Sequence, residues 1–261
     1  MSTLALAVRD SSTMLRRNLL HARRYPSLTL NLLLTPVMLL LLFVYVFGDT
    51  MSAGIGGGDR SDYVAYLVPG LLLMTIGSTT IGTAVSVSND MTEGIIARFR
   101  TMAIHRGSVL VGHVVGSLVQ SIMSVVLVGA VGVAIGFRST DATALEWLAA
   151  FGLLVLFTLA LTWIAVGMGL ISPNAEAASN NALPLIFLPL ISSAFVPVDA
   201  MPGWFQPVAE YQPFTPAIET LRGLLLGTEI GHNGWLALGW CLALTVLGYL
   251  WSTSKFNSDP K

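Results

Sequence analysis

Six stretches of this chain run for at least 21 residues without an Asp, Glu, Lys or Arg: 25–48, 63–89, 107–137, 147–175, 177–198 and 234–254. An α-helix rises about 1.5 Å per residue and the hydrocarbon core of a bilayer is about 30 Å thick, so each stretch can cross a membrane as a helix. The runs are continuously apolar rather than alternating, which excludes a transmembrane β-barrel. Trimmed at their Pro and Gly punctuation, they predict spans at 27–47, 63–88, 108–136, 147–171, 177–198 and 234–252. The fourth stops near Ile171 because Ser172-Pro173-Asn174 reads as a break. The first is longer than the core of a secretion signal and no small-residue cleavage site follows it. The expected fold is therefore an all-α integral membrane protein of six transmembrane helices, one domain over residues 1–261.

Composition agrees. Hydrophobic residues make up 54% of the 261 and charged residues only 10%, against about 25% charged in soluble domains. Thirteen Lys and Arg against fourteen Asp and Glu leave a net charge of −1, with no basic field of the kind nucleic acid needs. The single cysteine, Cys241, excludes an internal disulfide framework. Orientation follows from the cations. With the N-terminus inside, Arg9, Arg16, Arg17, Arg23, Arg24, Arg98, Arg100, Arg106, Lys255 and Lys261 are cytoplasmic, and only Arg60, Arg138 and Arg222 are outside. That bias places both termini in the cytoplasm.

Three segments lie outside the spans. In 3–24, Leu4, Val8, Leu15 and Leu19 fall within an arc of about 60° on a helix, away from Arg16, Arg17, Arg23 and Arg24. This predicts an amphipathic helix on the inner interface; the plainer alternative is a charged tail that only sets topology. In 90–106, Met91, Ile95, Ile96, Phe99, Met102 and Ala103 gather on one side of a helix, with Glu93 and Arg100 facing away. Such a ridge suits the groove of a partner protein or, equally, a resting place on lipid with Arg98 and Arg106 as anchors. Between spans five and six, Pro197, Pro202, Pro207, Pro213 and Pro216 punctuate an amphipathic stretch bearing Trp204, Phe205 and Tyr211. Glu219 and Arg222, three residues apart, can pair on a helix. This predicts two short helices dipping into the outer leaflet, with an ordinary outer loop as the alternative.

Catalytic chemistry is absent from the text of the sequence. No G-x-x-x-x-G-K-[ST] phosphate loop and no H-E-x-x-H occurs, and His21, His105, His113 and His232 are too scattered to form a ligand set. No metal site is expected. The carboxylates sit mostly at span ends, which argues against an ion-coupled carrier. Mild polar residues within the spans, among them Asn31, Thr35, Thr75, Ser78, Thr79, Thr80, Asn180, Asn181, Ser192 and Ser193, read first as helix–helix hydrogen bonding.

Three features together resemble a known family. The first is the basic N-terminal helix leading into an apolar span. The second is Asn89-Asp90…Glu93-Gly94…Arg98-Phe99-Arg100…Arg106-Gly107 followed by Val111-Gly112. The third is Phe195-Val196-Pro197-Val198-Asp199-Ala200-Met201-Pro202-Gly203-Trp204, ending in Pro213-Phe214-Thr215-Pro216-Ala217 and Leu221-Arg222-Gly223. The chain resembles the membrane subunit of ABC type-2 exporters, in the daunorubicin-resistance permease branch.

The resemblance implies two permeases, the second identical or a paralogue, paired with two copies of a separate cytoplasmic ATPase that carries the ATP and Mg, in a bacterial cytoplasmic membrane. It makes 90–106 a coupling helix whose contacts include Glu93, Gly94, Ile95, Arg98, Phe99, Arg100, Met102 and Arg106. Residues 3–24 become the connecting helix, and 199–226 a re-entrant cap with Asp199, Pro202, Trp204, Pro213, Glu219 and Arg222. The implied pathway is a cleft between permeases, lined here by Asn31, Thr35, Met38, Phe43, Met74, Thr75, Ser78, Asn181, Phe187 and Phe195. These side chains carry almost no charge and suit an amphiphilic antibiotic-like substrate, a lipid or lipid-linked glycan being the alternative. A membrane assembly or sensor subunit that moves nothing would share the same topology.

Overall fold

The computed structural model describes residues 26–48, 60–92, 106–139 and 142–258. Nine α-helices and one 3-10 turn account for most of them, with no strand among the described residues. They are α1 (Pro26–Tyr45), α2 (Arg60–Thr92), α3 (Arg106–Ala134), α4 (Ala144–Ile171), α5 (Ala175–Ala182), α6 (Pro184–Leu190), the 3-10 turn Val198–Ala200, α7 (Gln206–Tyr211), α8 (Phe214–Leu226) and α9 (Asn233–Ser258).

Four helical segments are long and apolar enough to cross a bilayer: Ser61–Thr92, Leu110–Ala134, Ala144–Ile171 and Asn233–Ser258. The protein is an integral membrane protein. Helix α1 covers most of the first expected span in 20 residues. Helix α4 begins at a capping box, in which Thr143 accepts from the Glu146 amide while the Glu146 carboxylate accepts from the Thr143 amide at 2.6 Å. It ends at Ser172, before Pro173, which cannot continue a helix.

The fifth expected span, 177–198, is not one helix. Pro184 has no amide to give to Asn180, whose carbonyl instead takes the Leu183 amide at 3.2 Å, and the chain re-enters a helix as α6. Helices α5 and α6 together cover 175–190, about 24 Å at 1.5 Å per residue. The backbone then turns over 191–195, where the Ser192 amide bonds the Pro189 carbonyl.

Helix α2 is the centre of the molecule and packs against α1, α3, α4, α5, α6 and α8. The core is built from Leu67, Leu71, Leu73 and Ile76 of α2, Phe157 and Leu161 of α4, and Phe214, Ile218 and Leu221 of α8, all buried. Phe157 and Phe214 meet edge to face at 5.0 Å. Small residues allow the close approaches: a Cβ on Gly70 would lie 2.6 Å from the Ala194 Cα, and one on Gly77 would strike the Leu185 carbonyl oxygen. The second large interface joins α4 and α9. There Gly248 lies against the backbone of Trp163 and Ile164, and the Ser252 hydroxyl donates to the Trp163 carbonyl at 3.1 Å.

Candidate functional site

The α2–α3 hairpin carries a polar seam through an otherwise apolar interface. The Thr79 and Ser121 hydroxyls are 2.6 Å apart, and Thr83 donates to Ser117 at 2.5 Å. Ser117 lies 3.4 Å from the Thr162 hydroxyl of α4. The spacing of four residues between 79 and 83, and between 113, 117 and 121, puts each set on one face of its helix. Asp90 lies seven residues, two turns, beyond Thr83 and so shares its face. There His113 Nε2 donates to Asp90 Oδ2 at 3.0 Å, with the two side chains only 4% and 12% exposed. His113 is among the partners of Asp90. The pair stands at the ends of α2 and α3 that lead into 93–105.

A second polar cluster holds the segment between α6 and α8. The buried Arg222 of α8 donates through Nη1 to Glu219 at 2.5 Å, and through Nη2 to the carbonyls of Tyr66 and Ser193 at 3.0 and 3.2 Å. Its guanidinium lies over the Tyr66 ring, 3.8 Å from the centroid, and the Tyr66 hydroxyl donates to the same Ser193 carbonyl at 2.9 Å. The Ser193 amide donates to the Thr215 hydroxyl, which itself donates to the Ala209 carbonyl. Gln212 reaches the Leu188 carbonyl at 3.3 Å. Of the acceptor carbonyls, that of Ser193 lies outside regular helix and that of Ala209 near the end of α7, while that of Tyr66 lies within α2 and that of Leu188 also takes the Ile191 amide.

Of the cap residues read from sequence, Glu219 and Arg222 pair as expected. Asp199 lies in the 3-10 turn and Pro202 just past it, both exposed. Trp204 is 80% exposed and stacks edge-on against Phe205 at 5.3 Å. Pro213 caps α8.

The pathway residues divide. Phe43 of α1 and Phe195 touch, with ring centroids 4.5 Å apart. Met38 and Phe187 are open, at 59% and 57% exposure, and Thr35 is exposed as well. Met74 is half-buried against the core. Thr75 is buried and returns its hydroxyl to the Leu71 carbonyl at 2.7 Å, while Ser78 does the same to Thr75 at 2.9 Å. Asn181 donates to the Ser172 hydroxyl at 2.9 Å. Asn31 lies within α1.

The coupling residues Glu93, Gly94, Ile95, Arg98, Phe99, Arg100 and Met102 lie outside the described residues, as do Arg16, Arg17, Arg23 and Arg24; Arg106 opens α3. Among the described residues no three His, Cys, Asp or Glu gather as metal ligands. The seam itself was missed from sequence, although the repeat of four in His113, Ser117 and Ser121, matched by Thr79 and Thr83, was there to be read.

The sequence model of ABC-2 type transporters matches residues 10–226, which take in the seam, the broken helix and the Arg222 cluster. The chain belongs to the ABC-2 type transporter family. Among its relatives, the daunorubicin resistance ABC transporter permease protein DrrB1 of Streptomyces coeruleorubidus is 27% identical over 228 residues, covering 86% of this chain and 77% of that protein. A probable doxorubicin resistance ABC transporter permease, DrrC of Mycobacterium tuberculosis, is 24% identical over 190 residues, 68% of this chain and 67% of its own. Nodulation protein J of Rhizobium meliloti is 24% identical over 233 residues, 82% and 81% of the two chains. This ABC-2 chain thus sits in the branch of the drug-resistance permeases.

Proposed function

We propose that this chain is the permease subunit of an ATP-driven exporter that moves an amphiphilic, drug-like molecule outward, driven by a separate ATPase subunit. The observation that carries the reading is the ABC-2 family match over 10–226, in a chain whose sequence has no phosphate loop. In this reading ATP and Mg belong to the partner. The segment 90–106 docks on that partner, and residues 3–24 lie along the inner leaflet. Helices α5 and α6 supply the fifth of six crossings, α7 and α8 re-enter from the outside, and both termini are cytoplasmic.

The faces left uncovered support a paired arrangement. Leu34, Met38, Leu42 and Tyr45 form one exposed stripe of α1, and Leu183, Phe187 and Leu190 are exposed on and beside α6. A second, identical permease facing these surfaces encloses a cleft of Met, Phe and Thr, which suits an apolar body with few polar groups. Closure of two ATPase subunits would pull on 90–106 and, through α2 and α3, shift access from inside to outside.

The test is recovery of the tagged chain from its native membrane in mild detergent, with identification of what accompanies it. A stoichiometric soluble protein bearing a phosphate loop is expected, with ATPase activity that the transported molecule stimulates in vesicles. Recovery of the permease alone, with ATP analogues present, overturns the reading.

A further inference from the structure

The hydroxyl seam between α2 and α3 is periodic. Thr79 and Thr83 face Ser121 and Ser117, and both sets repeat every four residues. A hydroxyl donates and accepts equally well. A slip of about one turn would therefore pair Thr79 with Ser117, keeping one hydroxyl pair of the two and leaving Thr83 and Ser121 to other partners. Ratchets of this size are a known mode of switching between packed helices. The apolar part of the interface is loose in places and close in others: a Cβ on Gly129 would find its nearest neighbour, Leu72, at 3.9 Å, and one on Gly132 would meet Val68 at 3.1 Å.

Asp90 and His113 break that degeneracy. They form an acid–base pair across this interface, and neither can trade places with a hydroxyl. Stability alone is a poor reason for burying them, because apolar side chains of similar volume pack as well or better. Both stand near the helix ends that lead into 93–105, and both are nearly buried there. Their position is also particular. They are 23 residues apart in sequence, and together they close the loop that contains 93–105.

We propose that Asp90 and His113 are the register key of the α2–α3 hairpin: they hold one of two hydroxyl pairings, so that the hairpin moves as a single lever. This rests on the exporter reading above for its consequence, transport, but not for its geometry. Both residues are positioning residues, acting on the helices rather than on any substrate.

Two readouts test it in the full chain, with Cys241→Ser as background since Cys241 is the only native cysteine. The first is cross-linking in native membranes and needs no ATPase. The Thr83→Cys/Ser117→Cys pair should cross-link in the native register, and Thr79→Cys/Ser117→Cys should not. Adding His113→Leu should make the second pair cross-link. His113→Gln, which keeps an N–H near the Nε2 position, should restore the native pattern. The second readout is transport per ATP hydrolysed in vesicles holding the permease and its co-purified ATPase. His113→Leu should lower it about tenfold, within the usual range of coupling energies, and both His113→Gln and the exchange Asp90→His/His113→Asp should recover most of it.

Should His113→Leu fail to accumulate, His113→Asn, too short to reach Asp90, carries the same expectation. An unchanged cross-linking pattern in His113→Leu or His113→Asn overturns the register key, as does transport equal to the parent. A parent chain that recovers no ATPase overturns the exporter reading and leaves the cross-linking result standing.

Discussion

The two polar regions of this molecule are built on different plans. In the α2–α3 seam, side chains bond side chains: Thr79 to Ser121, Thr83 to Ser117, His113 to Asp90. In the cluster around Arg222, side chains mostly bond backbone carbonyls, those of Tyr66, Ser193, Leu188 and Ala209, with Arg222–Glu219 a side-chain pair beside them. The difference follows from what each region joins. The seam lies between two continuous helices, well past Pro69 of α2, so its backbone is bonded within each helix and its polar side chains are free to choose partners. The cap contains 191–195 and the segment after it, where the helix ladder is interrupted and side chains take up the Ser193 and Ala209 carbonyls. A seam of the first kind can re-pair without leaving a carbonyl orphaned. A cap of the second kind cannot. Among the described residues, Ser193 Oγ and Arg222 Nε of the cap and Tyr63 Oη of the neighbouring α2 are buried without a hydrogen-bond partner, whereas no seam atom is.

The largest effect should come from breaking the cap. Arg222→Leu removes donors from two carbonyls and strands the half-buried Glu219. Loss of one partner of a buried pair costs about 3–5 kcal/mol. The variant should reach the membrane at a small fraction of parental abundance, or melt far lower in a detergent thermal-shift assay. Arg222→Lys should recover little, since an ammonium cannot serve three acceptors in one plane while lying flat on Tyr66. Parental melting in Arg222→Leu would mean the carbonyls find other donors, and the contrast between the regions would fail.

Next in size is Gly70→Leu. The new Cβ meets the Ala194 backbone at 2.6 Å, and backbone cannot step aside as a side-chain tip can. Overpacking of this kind costs about 1–3 kcal/mol, and the loss should appear in the same melting assay. Thr83→Val is smaller again. It removes one rung of the seam, and interhelical hydrogen bonds in membranes average about 0.6 kcal/mol. If Thr83→Val proved as damaging as Gly70→Leu, the seam would have to be counted as rigid structure, like the cap.

How much of this was legible in the sequence depends on whether a feature is local. The long charge-free runs fixed α1, α2, α3, α4 and α9 because length and hydropathy are properties of one segment. The Glu219–Arg222 pair was also local, three residues apart on one helix. The break at Pro184 was visible as a proline yet was passed over inside a run of apolar residues, because hydropathy weighs Pro184 and Pro189 no differently from loop residues. The seam was harder. Its two stripes lie on different helices, and only the antiparallel register of α2 and α3 brings them together. Likewise nothing near Arg222 in sequence announces Tyr66, 156 residues away, as the ring beneath it. Thr75 and Ser78 show the converse limit. They look like pathway polar groups, but both spend their hydroxyls on carbonyls of their own helix.

The smallest effect should come from a glycine that resembles Gly70 in sequence only. Gly152 stands in α4, close to the helix's start, and a Cβ there meets no atom within 4 Å. It borders a cavity of about 430 Å³ between α4, α8 and α9, walled by Leu153, Leu156, Leu224, Trp235 and Leu238. In Gly152→Leu the new side chain extends over apolar surface, while the helix exchanges its weakest ordinary residue for one of its best, worth about 0.8 kcal/mol in peptides. The variant should therefore melt with the parent or slightly above it, at equal membrane abundance. The comparison with Gly70→Leu is what makes the result informative. The same substitution, in two helices that both pack against α8, should have opposite signs, because one glycine is there to let backbones touch and the other merely faces open space. A loss at Gly152 equal to that at Gly70 would show that the cavity between α4, α8 and α9 closes in the membrane, and that the rigid region extends well beyond the Arg222 cluster.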